Sequence, residues 1–207
     1  MAESIGIISL NISFLIYFLY FFPQIIYNQI KCQANNISYF TQLLMITANG
    51  LDLVYGFGLK LQWQYRTVSI FSLSCLLFQQ WQIHRDSKKK LFFFHLSAIS
   101  ISIVSLLTAV NTTLSTETLT QIGVISMLCY SIYWLPQIIK NARNKSAQGF
   151  SKLFIMLNGL ALTCDEISAI SLAWPLPSII SPLLLLVSLV VLINQQMTFN
   201  VSKKNPD

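Results

Sequence analysis

The stretch Tyr17–Asn28 reads YFLYFFPQIIYN, and it recurs 113 residues later at Tyr130–Asn141 as YSIYWLPQIIKN. Both copies keep the order Pro-Gln-Ile-Ile and an asparagine two positions after it. Continued at the same offset without a gap, the repeat pairs Asp52 with Asp165. A repeat of this length in so apolar a chain predicts two copies of one membrane unit.

The composition indicates a membrane protein. The 207 residues are only 10% charged, whereas soluble domains carry about 25% charged residues. The net charge of +6 would suit a nucleic acid, but the bases lie in short joints between apolar runs rather than on one solvated face. We therefore expect the lipid bilayer as a partner and no nucleic acid. The four cysteines lack metal-ligand spacing, and no catalytic constellation is evident, so we expect no metal, no cofactor and no enzymatic activity.

Seven segments are long and apolar enough to cross a bilayer, which takes about 20 residues per helix. They are residues 5–29, 39–59, 67–84, 92–111, 119–141, 152–173 and 178–197. Three spans reverse the direction of the chain, so one extra span is needed to make the two copies parallel. The prediction is an all-α membrane protein with two parallel three-helix bundles, residues 1–90 and 116–207, joined by a linker helix within residues 91–115.

The basic residues predict the orientation. If the first, third and fifth joints and the C-terminus share one side, only Lys60 and Arg66 of the 13 Lys and Arg fall on the other side. The positive-inside rule places the basic side in the cytoplasm, with the N-terminus outside. The tail shows no lysosomal sorting signal, and the short N-terminus shows no lumenal domain. We therefore favour a bacterial inner membrane over a lysosomal membrane.

The two Pro-Gln pairs predict hinges. Pro23 and Pro136 each lie late in a predicted helix, where a proline removes a backbone donor and clashes with the preceding turn. Gln24 and Gln137 follow them and can donate hydrogen bonds locally or across the bundle. Two matched kinks are what a protein of two rocking halves requires.

The motifs Pro23-Gln24 and Pro136-Gln137, each near the end of a span and followed by a short basic joint, resemble those of the PQ-loop family. That family includes cystinosin, the lysosomal cationic amino-acid exporters and the SWEET sugar carriers. The second joint, Lys145–Ser151 (KSAQGFS), is the better match, since the first joint has Cys32 and Asn36 where Ser and Gly are typical. The resemblance implies a seven-helix carrier with a central substrate site and alternating access, and its cystinosin-like members are proton-coupled.

Three acids lie inside predicted spans: Asp52, Asp165 and Glu166. A charged carboxylate at the centre of a bilayer costs about 2.5–3.5 kcal/mol, and no Lys or Arg is predicted at the same depth to offset it. Protonation or a cationic ligand would relieve that cost. Adjacent residues of a helix lie about 100° apart, so we expect Asp165 to face the centre and Glu166 to face a neighbouring helix or the outer vestibule.

Other polar and aromatic side chains complete the predicted site. Asn49 and Tyr55 lie three residues either side of Asp52 and share its face. Asn158 stands where the resemblance places an acid in cystinosin-like carriers, and it can bind polar groups of a solute. Four tyrosines form two matched pairs that we expect to line the cavity: Tyr17, Tyr20, Tyr130 and Tyr133. We expect Gln79, Gln80, Asn194 and Gln195 to be solvated at the level of the lipid headgroups.

These features predict a transporter that moves a small amino acid or a related cationic or zwitterionic solute, together with a proton. Asp52 and Asp165 would hold the ammonium group or the proton. A SWEET-like sugar uniporter and a non-transporting receptor of the same fold are the alternatives. The solute, the direction of flux and the oligomeric state are left open by the sequence.

Overall fold

A computed structural model describes residues 2–32, 34–87, 92–111 and 113–202. Over these residues the chain is all-helical, with eight α-helices, one 3₁₀ turn at Ala34–Asn36 and no β-strand. The helices are α1 Ala2–Lys31, α2 Tyr39–Gly58, α3 Trp63–Asp86, α4 Phe92–Val110, α5 Thr116–Ile132, α6 Leu135–Asn144, α7 Lys152–Ser171 and α8 Leu176–Ser202. The basic residues Lys88, Lys89, Lys90, Lys203 and Lys204, which contribute to the predicted orientation, lie outside the described residues.

Five of the predicted spans meet the length and composition of a membrane-crossing helix. They are Glu3–Lys31, Phe92–Val110, Thr116–Asn144, Lys152–Ser171 and Leu176–Phe199. The second and third predicted spans form the helices α2 and α3 but are less apolar. Their polar side chains are buried in the bundle, since Gln42, Gln79, Gln80 and Gln82 are each under 5% exposed. The prediction of headgroup solvation for Gln79 and Gln80 is therefore wrong, because these helices pack on several sides.

The fifth predicted span is one membrane-crossing segment built from two helices. Pro136 cannot donate to the carbonyl four residues earlier, at Ile132, and its ring clashes with that carbonyl. α5 accordingly ends at Ile132 and α6 begins at Leu135. The matching Pro23 lies inside α1, which remains one helix from Ala2 to Lys31. The Pro-Gln motif thus interrupts the helix in the second copy but not in the first.

The two halves of the chain pack in the same order. α3 packs against α1 and α2, and α8 packs against α5 and α7. Across the halves, α1 lies along α7 and α2 lies along α5. Even the left-handed residues that end helices repeat at the offset of 113, since Cys32 matches Lys145 and Lys60 matches Ala173. The sequence repeat is therefore also a repeat of packing and backbone conformation.

α4 docks on the first half through a face of small side chains. Ala98, Ser102, Ser105 and Ala109 recur at helical spacing and are each under 8% exposed. This face lies on α2 and α3, where small residues allow helix backbones to approach closely. Gly50 of α2 is part of this contact, because a Cβ there would lie 2.4 Å from the Ser105 Oγ.

Two serines of α4 provide a matched test of this contact. We expect Ser102→Leu to destabilise the protein by about 1–3 kcal/mol, since extra atoms in a close-packed interface force helices apart. Ser100 is exposed, so Ser100→Leu should change stability by less than about 0.5 kcal/mol. Thermal unfolding of the two variants in detergent measures the difference. Equal losses in both variants would contradict the assigned docking face.

Candidate functional site

A cavity of about 110 Å³ lies among the helices of both halves. A single water needs about 10–15 Å³ by the same measure, so the cavity has room for a solute of several heavy atoms. Residues of α1, α2, α3, α5, α7 and α8 line it, and α4 and α6 contribute none of the lining. The cavity is therefore an interface between the two halves, where a relative movement of the halves would change its shape.

The structure brings nine of the ten predicted solute-site residues together around this cavity. They are Tyr17, Tyr20, Asn49, Asp52, Tyr55, Tyr130, Tyr133, Asn158 and Asp165. Glu166 is the tenth; it lies outside the lining, it is 9% exposed, and its Oε2 has no hydrogen-bond partner among the described residues. The adjacent carboxyls of α7 therefore face different surroundings, as their spacing of about 100° requires.

Hydroxyl groups of α3 hold the Asp52 carboxyl. The Tyr65 hydroxyl donates to Oδ1 of Asp52, and the Ser69 hydroxyl, which also lies 3.1 Å from the Tyr65 carbonyl oxygen, reaches Oδ2 over 3.4 Å. Tyr65 and Ser69 lie four residues apart, so they share one face of α3. Sequence reasoning missed both residues, although their spacing from each other is a signal that could have found them.

A hydroxyl from the other half holds Asp165. Tyr17 of α1 donates to Oδ2 of Asp165 over 2.7 Å, so this bond crosses between the halves. At the offset of 113, Tyr65 and Ser69 correspond to Ser178 and Pro182. The second half thus lacks the hydroxyl pair that holds Asp52, and Asp165 instead faces the hydroxyls of Tyr17 and Ser13 on α1 of the other half.

No base among the described residues balances these two carboxyls. Over the described part of the chain, the one salt bridge joins Arg85 and Asp86. The described residues that line the cavity include no Lys, Arg or His. Because hydroxyls are the hydrogen-bond donors that reach the carboxyls, a cation or a proton brought into the cavity would meet uncompensated negative charge.

An aromatic cluster closes the cavity at the end that carries the Pro-Gln motifs. Six rings form it, each under 10% exposed: Tyr20, Phe21, Tyr133, Trp134, Phe150 and Phe154. Tyr20 stacks on Phe154 at 5.1 Å between ring centroids, and Phe154 stacks on Phe150 at 5.6 Å. Phe150 then meets Trp134 edge-on at 4.9 Å. In this closing cluster, α1, α7 and the residues at the break between α5 and α6 pack against one another.

The glutamines of the two motifs bind loops of the opposite half. Gln24 of α1 accepts from the Ser151 amide over 2.8 Å and donates to the Gly149 carbonyl over 3.2 Å. We call this the first clamp. Gln24 and Asn28 are both fully buried, and Gln24 also donates to Asn28 Oδ1 over 2.8 Å.

The second clamp repeats the first at the offset of 113. Gln137 of α6 accepts from the Ser38 amide over 2.6 Å and donates to the Asn36 carbonyl over 3.3 Å. It also donates to Asn141 Oδ1 over 2.8 Å. Each half of the chain thus fixes the loop that leads into the second helix of the other half.

A further glutamine in each half supports each clamp. Asn28 donates to Gln82 Oε1 over 3.0 Å, and Gln82 donates to the Ile25 carbonyl over 3.1 Å. Asn141 and Gln195 make the matching pair of bonds, to Gln195 Oε1 over 3.1 Å and to the Ile138 carbonyl over 3.0 Å. The prediction that Gln195 is merely solvated at the headgroups is therefore wrong, whereas Asn194 is exposed. The repeat offset applied to every glutamine would have paired Gln82 with Gln195.

One pair of clamp contacts differs chemically between the halves. The Tyr27 hydroxyl donates to the Gln148 carbonyl over 3.0 Å. Its counterpart Lys140 donates to the carbonyls of Asn35 and Ile37, each over 3.0 Å. A cation therefore reinforces the second clamp where a neutral hydroxyl reinforces the first.

Comparison with known proteins gives one match. Residues 119–178 match a family model described as PQ loop repeat. These residues include most of α5, all of α6 and α7, and the first turn of α8. Neither the curated proteins nor the solved structures yield a match.

Proposed function

We propose that this chain, whose residues 119–178 match the PQ loop repeat model, is an alternating-access membrane transporter of that family. Its solute is a small amino acid or a related cationic or zwitterionic molecule, carried together with a proton. The observation that carries the proposal is the cavity between the halves, into which Asp52 and Asp165 both project without a basic partner among the described residues.

Two protein states are needed for transport, and the features that surround the cavity suit this requirement. The closing cluster and both clamps shut the end with the Pro-Gln motifs, while the lining residues Leu10, Gln64 and Trp174 lie toward the other end of the helices. Breaking the clamps would open the closed end. The interruption of helix before Pro136 gives the second half a hinge at this position.

We further propose the arrangement of two parallel three-helix bundles joined by α4, with seven spans. Support comes from the common packing order, in which α3 and α8 occupy equivalent places, and from the clamps, which repeat at one offset. The bundles correspond to residues 1–90 and 116–207, with the linker in residues 91–115. We place the N-terminus outside and the C-terminus in the cytoplasm of a bacterial inner membrane, on the basis of the distribution of bases.

A carboxyl that takes up a proton when the solute binds, and releases it when the solute leaves, couples the two fluxes in one direction. Asp165 is better placed for this role than Asp52, because its partner Tyr17 belongs to the opposite half and would shift when the halves move, whereas Tyr65 and Ser69 belong to the same half as Asp52. Asn158 occupies the lining as a neutral amide. Proton exchange at the cavity is therefore assigned to Asp165 and not to Asn158.

Uptake by proteoliposomes under an imposed pH gradient tests the proposal. Uptake of labelled amino acids should rise with the gradient, and Asp165→Asn should reduce it at least about tenfold, a barrier change of about 1.4 kcal/mol. Glu117→Gln, which removes an exposed acid at the start of α5, is the control and should leave uptake unchanged. Uptake confined to sugars and indifferent to pH and to Asp165→Asn would refute the proposal in favour of a uniporter. Solute binding without flux would refute it in favour of a receptor.

A further inference from the structure

The cavity offers charge of one sign to a bound solute. Asp52 and Asp165 line it, and the described lining residues include no base that could pair with a solute carboxylate. An amino acid would have to bring its own carboxylate, stripped of water, into a cavity that already holds two. Burial of an unpaired charge is among the costliest events in protein energetics. The lining therefore disfavours zwitterionic solutes, which are one of the kinds of solute proposed above.

Two buried hydroxyl oxygens in the lining point to an ammonium group. The Tyr55 and Ser178 hydroxyls lie beside each other, and neither makes a hydrogen bond with any other described residue. Their side chains belong to residues that are 2% and 9% exposed, and both residues line the cavity. A hydroxyl oxygen accepts hydrogen bonds, and an ammonium group has three N–H donors and no acceptor. Such a ligand satisfies these oxygens and a carboxylate at once.

Aromatic and aliphatic groups occupy the remaining lining. The aromatic residues Tyr17, Tyr65, Tyr130 and Trp174 line the cavity, and the rings of Tyr65 and Trp174 pack edge-on at 5.4 Å. Aromatic faces attract organic cations. Leu162 and Leu185 add apolar surface that suits methylene groups.

The two carboxyls approach the cavity from different helices. Asp52 comes from α2, which packs on α3, α4 and α5, and Asp165 comes from α7, which packs on α1 and α8. A ligand with a cationic group at each end of an aliphatic chain reaches both carboxyls. A ligand with one cationic group leaves the other carboxyl to be neutralised by a proton.

We infer that the solute of this cavity is an organic amine that lacks a carboxylate, and that an aliphatic diamine is the class it takes best. The inference rests on the proposed transport function and narrows its solute. It assigns one ammonium group to Asp52 together with the adjoining Tyr55 and Ser178 oxygens, and the other to Asp165.

The test compares two compounds that differ only by a carboxylate: 1,5-diaminopentane and L-lysine. Proteoliposomes containing the full chain are assayed for uptake of each labelled compound, with protein-free liposomes as the background. We expect uptake of the diamine to exceed that of lysine at least about tenfold at equal concentration, which corresponds to about 1.4 kcal/mol. Neutral sugars should not compete with the diamine.

Three variants show which groups select the solute. Asp52→Asn and Asp165→Asn each remove one charge with little change of shape, and each should lower the diamine-to-lysine ratio toward one. The control Glu117→Gln lies outside the cavity and should keep the ratio of the unmodified chain.

The outcomes separate the inference from the transport function. Uptake of lysine or alanine equal to or greater than uptake of the diamine would overturn the inference and leave the proposed transport of amino acids intact. Uptake of sugars alone, or of no labelled solute above background, would overturn both. Because the comparison of ligands uses the unmodified chain, it decides the matter even if a variant fails to fold.

Discussion

Replacing Gln137 by Leu is expected to release the loop before α2 and to weaken the closure of this end of the protein. Gln137 is fully buried, and its loss leaves the Ser38 amide and the Asn36 carbonyl without the partners they have in the second clamp. A buried polar group left without a partner costs about 1–3 kcal/mol. The closed state should therefore lose roughly 2–6 kcal/mol relative to an open one.

Hydrogen exchange measures this effect at the site that the clamp protects. In Gln137→Leu, exchange in the segment around Ser38 should accelerate about 100-fold, since about 1.4 kcal/mol corresponds to each factor of ten. In Gln24→Leu, exchange should accelerate instead in the segment around Ser151, which lies in the second half of the chain. Gln121→Leu changes an exposed glutamine of α5 and serves as the control.

The crossed pattern is the decisive part of this prediction. Each glutamine should protect a loop far from itself in sequence, in the opposite half. If Gln137→Leu accelerated exchange around Ser151 and spared Ser38, the assigned clamps would be wrong. A uniform acceleration in both segments would instead show that the variant had lost its fold.

Gly149→Ala is expected to destabilise the protein, while Gly159→Ala should stabilise it. A Cβ on Gly149 would lie 2.9 Å from the Asn36 carbonyl oxygen and 2.9 Å from Gln137 Nε2. The carbonyl oxygen belongs to the backbone and cannot rotate away, so the two loops must separate. We expect a loss of about 3 kcal/mol from overpacking and from the weakened second clamp.

Gly159 provides the matched control because it sits inside α7 with free space beside it. The nearest atom to a Cβ there is Leu189 Cδ1 at 3.9 Å, an ordinary contact. Alanine is favoured over glycine inside a helix, so Gly159→Ala should add about 0.5–1 kcal/mol. Neither glycine has a positive φ, so available space alone separates the two outcomes. Thermal unfolding in detergent measures both, and a similar shift for the two variants would contradict the close approach of the loops.

The repeat accounts for most of what the sequence could predict. The matched tyrosines and the acid pair were predicted to line one cavity, and they do so because a repeat at a fixed offset places equivalent side chains at equivalent depth. All seven predicted spans form helices, although α2 and α3 fall short of the apolar composition of a span. Buried glutamines lower the apolar content of these two helices. The glutamines are buried because both helices lie inside the bundle.

The same repeat could not reveal what the halves do not share. Tyr65 and Ser69 hold Asp52, but their counterparts are Ser178 and Pro182, so symmetry gave no signal. Pro23 and Pro136 are identical in sequence, yet only Pro136 follows an interruption of the helix. Such differences depend on the neighbours that each copy meets in the folded protein, and a local motif carries no information about these neighbours.

The reciprocal arrangement of the two clamps bears on leakage across a membrane. Each clamp joins a helix of one half to a loop of the other, and the two loops touch at Gly149 and Asn36. Opening therefore requires both clamps to break in the same molecule at the same time. Because the open form lacks the hydrogen bonds of both clamps, it is rarer than a form that has lost the bonds of one clamp alone. A duplicated seal thus suppresses an accidental pathway for ions far more strongly than either copy could, while a solute that favours the opened form can still release both.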